Sequence, residues 1–413
     1  MLLLYNYFER NDNMQVKIEK MDDQGRGIAY INNKITFIDK CVTGDICDIE
    51  IFKENSKYNI GKLIKIINPS DIRVKELCPY YLNCGGCCLQ NLSYDDGINY
   101  KADVIINLMK SNEFNIKPEI IKNDNNLFYR NKIELKVINK KIGFYDSNSH
   151  RLIEIKKCLI AYPCINAAIK ILPLFNIING GVTIRCNQKS EVLIVINSDD
   201  NIDVSHLLEI KEKIKLVGIV LNNKTIYGDN YFIENINHKL FKISFDSFFQ
   251  VNPFIASQLF TIIENNILPG SKVLDLYCGV GTLSLNASLN ASNVVGVEIV
   301  PNAIFNAITN KKINNINNCE FVLNDAGKFI KSIDFDFDTL ILDPPRNGLN
   351  KDVIRIINEK NPDNIIYVSC NPFTLIRDLK LIKNYNIRKF YILDMFSYTK
   401  HVECVTLLCR KSL

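Results

Sequence analysis

From Asp246 to the end of the chain, short apolar stretches alternate with stretches of helical spacing, and this alternation constrains the fold more than any other feature. Strands separated by helices require right-handed crossover connections, so they form a mostly parallel, doubly wound α/β sheet. Ligands of such sheets bind beyond the carboxyl ends of the strands. The predicted strands are "KVLDLY", "NVVGVE", "CEFVLND", "TLILDPP", "NIIYVSC", "KFYILDMF" and "CVTLLC".

The chain has 413 residues, more than one hydrophobic core usually organises, and its pattern predicts three domains. Residues 1–70 carry short strand-like stretches between turn signals, which is typical of a small antiparallel barrel of the oligonucleotide-binding (OB) type. Residues 71–245 combine hairpins with helical segments near 97–111 and 159–175, which predicts a mixed α+β domain. Residues 246–413 form the predicted α/β domain.

The composition and the first residues of the chain indicate the cellular compartment. Hydrophobic residues make up 47% of the chain, yet no apolar run approaches the ~18 residues needed to span a bilayer. The opening "MLLLYNYFER" lacks the basic start and small-residue cleavage site of a signal peptide, so we interpret it as a loose terminus. We therefore expect a cytoplasmic protein whose fourteen cysteines are mostly reduced.

Positive charge is concentrated in the middle of the chain. The net charge of +5 is too small by itself to indicate a polyanionic partner. Residues 101–160, however, hold twelve Lys and Arg against seven Asp and Glu. This segment is either a nucleic-acid-binding face or a solvated surface, and its charge alone does not decide between them.

The first strand of the α/β domain leads into a glycine turn, "VLDLYCGVGTLSL", with Gly279 and Gly281. The turn is not the dinucleotide-binding motif, because Ser284 occupies the third glycine position. In addition, Asp275 lies inside the strand, where its charge would repel a pyrophosphate. An acid at this position favours a cationic ligand without phosphates.

Acidic residues also follow the next two strands. Glu298 comes nineteen residues after Gly279, at the end of "NVVGVE", where a carboxylate can accept hydrogen bonds from both hydroxyls of a ribose. Asp325, in "LNDA", is placed to bind an adenine amino group. A ribose and an adenine without phosphates indicate S-adenosylmethionine. The alternative is a general nucleotide-binding fold with a different ligand.

The fourth strand ends in "DPPRNGL", which contributes Asp343 and Arg346. The two prolines fix the backbone and remove two hydrogen-bond donors. Enzymes that methylate exocyclic amino groups usually place an aromatic residue after the prolines to stack on the base. Because this chain has Arg346 there, the motif argues against methylation of an exocyclic nitrogen.

Cys370 directly follows the predicted strand in "YVSCNPFTL" and precedes an Asn-Pro turn. A thiolate that adds to C6 of a pyrimidine makes C5 enolate-like, so that C5 can attack a methyl sulfonium. A base must then remove the C5 proton, for which Glu403 in "KHVECV" is the candidate and His401 the competitor. A lone cysteine or glutamate is more often structural or solvated, so the cofactor pocket is what favours this interpretation.

Four motifs carry a family resemblance: "SCNPFTLIRDL", "DPPRNGL", "DSFFQVNPF" and "HVECV". They resemble the S-adenosylmethionine-dependent RNA uridine C5-methyltransferases, in particular the class that acts on large-subunit (23S) ribosomal RNA. The resemblance covers nearly the whole chain, with a TRAM domain over the first 70 residues and an iron-sulfur domain in the middle. It implies a Rossmann-like class I methyltransferase domain at the carboxyl end.

The resemblance assigns roles to single residues. Cys370 would be the nucleophile and Glu403 the base. Independently of the resemblance, the target uridine must leave its stack, which selects loops or remodelled helices of RNA. Arg130 in "FYRNK" is the leading candidate for a phosphate or base contact. The implied cofactor positions are Gln250, Tyr277, Thr282, Glu298, Asp325 and Asp343.

A second group of cysteines lies in "CPYYLNCGGCCLQ", with Cys78, Cys84 and Cys87, and Cys158 follows much later. Their spacing favours an iron-sulfur cluster over zinc, with unliganded core cysteines as a third interpretation. The resemblance implies that these four hold a [4Fe-4S] cluster, with Cys88 as a bystander that could exchange with Cys87. We hypothesise that the cluster shapes an RNA-binding surface, because methyl transfer needs no electrons.

Three other functions stay open. An RNA cytosine C5-methyltransferase shares the thiolate addition but commonly carries a second cysteine where this chain has Arg346. A transfer RNA uridine C5-methyltransferase would use the same residues on a different RNA. A non-catalytic ribosomal RNA-binding assembly factor would have no need for Cys370, Glu403 and a cofactor pocket together.

Overall fold

The computed structural model describes residues 14–147, 149–333 and 335–411. The predicted loose terminus "MLLLYNYFER" and the start of the first predicted domain lie outside these residues. The described chain forms two compact units, one of residues 14–101 with Tyr398–Lys400 and one of residues 102–397 with 401–411. Over the described ranges, every helix is too short or too polar to cross a membrane.

Six strands of the first unit form one sheet. They are β1 (Met14–Lys17), β2 (Lys20–Met21), β3 (Gly27–Ile31), β4 (Lys34–Ile38), β5 (Ile46–Glu54) and β6 (Tyr58–Asn68). Their order is β1-β5-β6-β4-β3-β2, and the buried side chains of Ile18, Ile38 and Ile49 form its core. The predicted small β domain is confirmed, with one difference: β4 and β6 pair in parallel.

A buried ion pair, with hydrogen bonds to the backbone, connects the loops at one end of this sheet. The carboxylate of Asp45 accepts hydrogen bonds from the backbone N–H groups of Val42 and Ser70, and the Arg73 guanidinium lies 2.7 Å from it. The thiols of Cys41 and Cys47 lie beside it, 3.7 Å apart. Their mutual hydrogen bond and burial raise the pKa of Cys41, so it stays a thiol. This group of potential metal ligands is therefore a satisfied structural network.

The middle of the chain supplies a second sheet and a hairpin. Its elements are α1 (Tyr94–Lys110), β7 (Glu119–Ile121), β8 (Lys132–Ile138), β9 (Lys141–Tyr145), β10 (Leu152–Glu154), α2 (Pro163–Ile171), a 3₁₀ helix (Leu172–Phe175), β11 (Gly180–Cys186), β12 (Glu191–Asn197), α3 (Leu207–Lys213), β13 (Lys215–Leu221), β14 (Lys224–Gly228), β15 (Tyr231–Ile236) and β16 (Lys239–Ser244). Seven strands are ordered β10-β9-β8-β11-β12-β13-β14, and β15 pairs with β16. Cys164 and Cys186 join α2 to β11 by a disulfide, an exception to the expected reduced cysteines.

The last part of the chain forms the predicted α/β sheet. Its elements are α4 (Pro253–Asn265), β17 (Lys272–Leu276), α5 (Thr282–Ala287), β18 (Asn293–Glu298), α6 (Pro301–Ile313), β19 (Cys319–Leu323), α7 (Ala326–Ser332), β20 (Thr339–Leu342), α8 (Lys351–Lys360), β21 (Asn364–Ser369), α9 (Pro372–Leu381), β22 (Tyr385–Leu393) and β23 (Glu403–Arg410). The order is β19-β18-β17-β20-β21-β23-β22-β7. Within this order, the five neighbouring strands β19, β18, β17, β20 and β21 all pair in parallel, which confirms the predicted doubly wound arrangement.

Both faces of this sheet are buried. Val273 and Leu274, neighbours on β17, belong to two different hydrophobic clusters, as expected for a strand covered on both sides. Ala102, Ile105 and Met109 on α1 lie in one of them, at the spacing of a single helix face. These three residues of α1, which the sequence pattern assigns to the middle domain, thus contribute to the core of the α/β sheet.

Strand β7 is a further addition to this sheet, because it pairs in parallel with β22. Its three residues, "EII", are too few to show a period, so no sequence pattern predicts this strand. The predicted domain boundary at residue 246 takes no account of this strand. The strand order reverses between β17 and β20, which opens a crevice at the carboxyl ends of both strands.

Candidate active site

The turn after β17 combines three residues in left-handed backbone conformation. Tyr277, Gly279 and Gly281 have φ angles of 69°, 54° and 85°. At Gly281 a Cβ would lie 2.7 Å from the ring of Phe321, so only glycine fits there. At Gly279 a Cβ would meet no atom within 4 Å, so open space borders the backbone at the mouth of the crevice. A ligand can approach the backbone closely at this point.

Asp275 lies fully buried beneath this turn. Its Oδ2 accepts a 2.5 Å hydrogen bond from the Ser284 hydroxyl, while Oδ1 is buried without a partner in the described part of the chain. Burial raises the pKa of Asp275 to about 7, the Ser284 hydrogen bond lowers it, and the Asp343 charge raises it. An unpaired buried oxygen normally has a partner in the working protein, so the site fits a ligand with a donor or a positive charge.

Glu298 is held in place at the end of β18. Its Oε1 accepts the N–H groups of Ile299 at 2.7 Å and Val300 at 2.9 Å, and its Oε2 accepts the N–H of Gly279 at 3.2 Å. A carboxylate has about four acceptor sites, so these bonds orient Glu298 and leave capacity for a ligand.

The other predicted cofactor residues have structural contacts of their own. Asp325 caps the amino end of α7, where its carboxylate accepts the N–H of Lys328 at 2.9 Å. Thr282 is the first residue of α5. Gln250 is buried, and its backbone carbonyl accepts the Asn131 amide at 3.2 Å. Their roles in binding a cofactor remain predictions.

Cys370 and Glu403 lie at one edge of the sheet. Cys370 follows the last residue of β21, and Glu403 is the first residue of the neighbouring antiparallel strand β23, with Ser369 paired to Cys404. The strand pairing thus places the predicted nucleophile and base side by side. Both residues adjoin strands of the central sheet, so the sheet rather than a flexible loop determines their positions.

Burial and the neighbouring charges together determine the pKa of the Cys370 thiol. Burial raises its pKa to about 11, and the charges of Glu403 and Asp343 raise it as well. Arg346 acts in the opposite direction, by its positive charge and by a hydrogen bond to the sulfur. Arg346 is therefore the group that favours the thiolate at this site.

The two neighbouring carboxyl groups are also perturbed. Glu403 is buried, and desolvation followed by the charge of Asp343 raises its pKa well above the usual value, while Arg346 lowers it. Burial raises the pKa of Asp343 to about 7. Two carboxyl groups so placed do not both ionise readily, because burial opposes both charges and the charge of Asp343 opposes that of Glu403.

Helix α9 fastens the "DPPRNGL" loop next to Cys370. The Asn371 amide and the Thr374 hydroxyl donate to the Arg346 carbonyl at 3.0 and 3.2 Å. The Arg377 guanidinium donates to the Asn347 carbonyl at 2.9 Å. Sequence reasoning missed these positioning contacts, although Asn371 followed by proline is a usual start for a helix, and Asn371 caps α9.

Arg130, the predicted RNA contact, is half-buried in the second unit. Its Nε donates to the Lys132 carbonyl at 2.8 Å, and its backbone N–H donates to the Ile160 carbonyl at 2.7 Å. These bonds fix the base of the side chain. Contact with RNA remains a prediction.

The predicted cluster ligands fall in both units. Cys78, Cys84 and Cys87 belong to the first unit, and Cys158 belongs to the second. The Gly86 N–H donates to the Cys84 sulfur at 3.4 Å. Backbone donors to sulfur are typical of the thiolates that hold iron-sulfur clusters, so this local chemistry fits the predicted group.

Comparison with known proteins identifies the family. The model of tRNA (uracil-5-)-methyltransferases matches residues 197–411. The chain belongs to this family of RNA uracil-5-methyltransferases. It is accordingly an RNA-modifying enzyme, and the TRAM domain model matches residues 8–64.

Relatives match over nearly the full length. An RNA methyltransferase of Clostridium acetobutylicum is 33% identical over 97% of this chain and 98% of the relative, and one of Caldanaerobacter subterraneus is 34% identical over 98% and 100%. Among solved structures, a Pyrococcus abyssi tRNA (uracil-54, C5)-methyltransferase in complex with S-adenosyl-L-homocysteine is similar with a TM-score of 0.79. It is 25% identical, over 96% of this chain and 100% of the other.

Proposed function

We propose that this uracil-5-methyltransferase transfers a methyl group from S-adenosylmethionine to C5 of a uridine in 23S ribosomal RNA. Cys370 forms a covalent bond to C6 of the base, and Glu403 removes the C5 proton. One observation carries the proposal: Cys370, Glu403, Asp343 and Arg346 meet at the carboxyl edge of a methyltransferase sheet.

The crevice beside Gly279 is the proposed methyl-donor site. S-adenosylmethionine supplies a methyl group on a cationic sulfur. Glu298 would bind its ribose and Asp325 its adenine. A bound cation would favour the ionised forms of Asp275 and Asp343, whose pKa values burial raises. The similar Pyrococcus abyssi structure contains S-adenosyl-L-homocysteine, the same ligand after methyl loss. The remaining proposed contacts come from Gln250, Tyr277 and Thr282.

The side chains of the enzyme carry out the addition to C6, the removal of the C5 proton and the release of the product. The Cys370 thiolate adds to C6, and the electron pair of the C5–C6 double bond moves toward C5 and O4. C5 then takes the methyl group and carries both a methyl and a hydrogen. Glu403, whose ionised form the charge of Arg346 favours, accepts that hydrogen as a proton, the double bond re-forms, and Cys370 leaves as the thiolate. Arg346 stabilises the thiolate both before addition and after release.

The identity of the RNA is tested by offering transcripts of 23S ribosomal RNA and of transfer RNA, with labelled S-adenosylmethionine, to the same enzyme preparation. We expect 5-methyluridine in the 23S transcript, as read from digested RNA by mass spectrometry. The similar Pyrococcus abyssi structure is of a tRNA methyltransferase, so methylation of the transfer RNA alone would favour that substrate instead. A 5-methylcytidine product would indicate the cytosine reaction, and tight binding without transfer would indicate an assembly factor.

Arg346→Gln is expected to shift the pH dependence of methyl transfer. Without the arginine, the pKa of Cys370 rises above its value of about 11, so the thiolate fraction near neutral pH falls roughly tenfold per pKa unit. The single-turnover rate should drop at about pH 7 and recover in part toward about pH 9. Arg355→Gln, an exposed arginine on α8, is the control. Profiles of equal shape would show that Arg346 does not act on the thiol.

We also propose that Cys78, Cys84, Cys87 and Cys158 hold a [4Fe-4S] cluster that shapes the RNA-binding surface. Cys84→Ala is expected to lose the bound iron and its visible absorbance after anaerobic purification, and to weaken RNA binding. Cys88→Ala is the matched control, because Cys88 is the proposed bystander. Retention of iron by Cys84→Ala would refute the ligand assignment, and unchanged RNA affinity without iron would refute the role in binding.

A further inference from the structure

The second unit contains a cavity that the proposed reaction does not use. It has a volume of about 510 Å³ and is bounded by the end of β7, the turn between β11 and β12, the β15–β16 hairpin and the start of α4. Its wall is unusually rich in carboxamides. The six carboxamide side chains are those of Asn123, Asn125, Gln188, Asn235, Asn237 and Gln258.

The chemistry of the wall indicates a neutral, planar, hydrogen-bonding ligand. Lys122 and Asp124 are the cation and the carboxylate of the lining, and their charges offset each other, which does not favour a phosphate. Asn123 and Asn237 are already hydrogen-bonded to Ser397 and Ser257. The side chains of Asn125, Asn235 and Gln258 are exposed, and exposed carboxamides donate and accept together and therefore match the edges of nucleobases. The ring of Phe254 is 41% exposed and lines the same space, so it offers a stacking surface. Gln258 lies one turn further along α4 and is exposed on the same helix face.

The position of the cavity relates it to the catalytic edge of the sheet. Glu403 pairs with Leu393 on β22, and Leu393 pairs with Ile121 on β7, which lines the cavity. Adjacent strands are about 4.8 Å apart, so Ile121 lies roughly 10 Å from Glu403 along one row. Strand β7 is parallel to β22, and both run in the direction of β21. The carboxyl end of β7 therefore lies at the same edge as Cys370.

Two hydrogen bonds connect the wall of the cavity to the segment that follows β22, at the catalytic edge of the sheet. The Asp394 N–H donates to the Ile121 carbonyl at 3.0 Å, and the Asn123 amide donates to the Ser397 hydroxyl at 2.9 Å. A single RNA strand that places one uridine over Cys370 thus has a rigid, carboxamide-lined recess a short distance away.

We infer that this cavity binds a second, unstacked nucleobase of the RNA, close in sequence to the target uridine. The inference rests on the proposed RNA reaction at Cys370. A second base held by stacking on Phe254 and by hydrogen bonds to Gln258 sets which uridine reaches the thiolate. Recognition of this kind depends on an unstacked base, as is usual for sequence-specific RNA binding.

The test measures binding of 23S ribosomal RNA transcripts, transfer RNA transcripts and fluorescent single-stranded oligoadenylate, oligouridylate and oligocytidylate. We expect Phe254→Ala and Gln258→Ala to weaken binding of at least one RNA, by roughly tenfold for the loss of the ring. The dependence of affinity on salt should not change, because no phosphate contact is lost. Phe254→Tyr keeps the ring and should bind like wild type.

Asn265→Ala, an exposed amide at the far end of α4, is the matched control and should have no effect. Thermal melting of every variant separates loss of folding from loss of binding. Wild-type affinity for every RNA in both Phe254→Ala and Gln258→Ala would overturn the inference, and so would a lower salt dependence in step with the affinity. If the wild-type protein bound none of these RNAs, the proposed function itself would fail.

Discussion

Cys370→Ala is expected to abolish methyl transfer, with a loss of at least ~10³-fold, because the proposed reaction proceeds through the bond between the Cys370 sulfur and C6. The variant should fold normally, since Cys370 follows β21 rather than filling the core of the sheet. RNA binding should persist. The loss would then lie in the chemical step and not in substrate capture.

The measurement uses RNA substituted with 5-fluorouridine, from which the C5 substituent cannot leave as a proton. With S-adenosylmethionine, the wild-type enzyme should remain bound to this RNA on a denaturing gel, and Cys370→Ala should not. Cys409→Ala is a suitable control, because this partly exposed cysteine lies near the other end of β23. A persistent adduct in Cys370→Ala would assign the nucleophile to another residue. No adduct with wild type, on RNA that it binds, would remove the covalent mechanism altogether.

The features that the sequence predicted are those in which local pattern and tertiary structure coincide. Apolar strands buried on both faces are recognisable without knowing their neighbours, so the parallel sheet follows from the alternation after Asp246. The positions of Cys370 and Glu298 at strand ends were also predicted, because both follow directly from the strand pattern, while their roles remain predictions.

The features that the sequence did not predict depend on contacts between distant segments. Strand β7 has three residues, and its place is decided by pairing with β22 rather than by any period of its own. Arg346, which lowers the pKa of Cys370, lies in the "DPPRNGL" loop, and its carbonyl accepts a hydrogen bond from Asn371 at the start of α9. The carboxamide cavity likewise combines four separated segments, none of which predicts a cavity by its own sequence pattern.

Glu403→Gln is expected to separate bond formation from proton removal. Cys370 should still add to C6 and the methyl group should still reach C5, but the C5 proton would then have no acceptor. The covalent enzyme–RNA species should therefore accumulate on ordinary uridine RNA, and turnover should fall by about 10²- to 10⁴-fold. Denaturing gels and mass spectrometry of the trapped species, which must carry the methyl group, provide the measurement.

Stability distinguishes this effect from misfolding. The pKa of Glu403 is raised in the folded enzyme, so ionising it costs free energy of folding as the pH rises above the pKa of an unfolded glutamate. Glutamine resembles the protonated acid and removes that cost, so the variant should unfold at neutral pH no more easily than wild type. Glu359→Gln, an exposed glutamate on α8, controls for the substitution itself. If His401→Gln trapped the methylated adduct and Glu403→Gln turned over normally, His401 would be the base that removes the C5 proton.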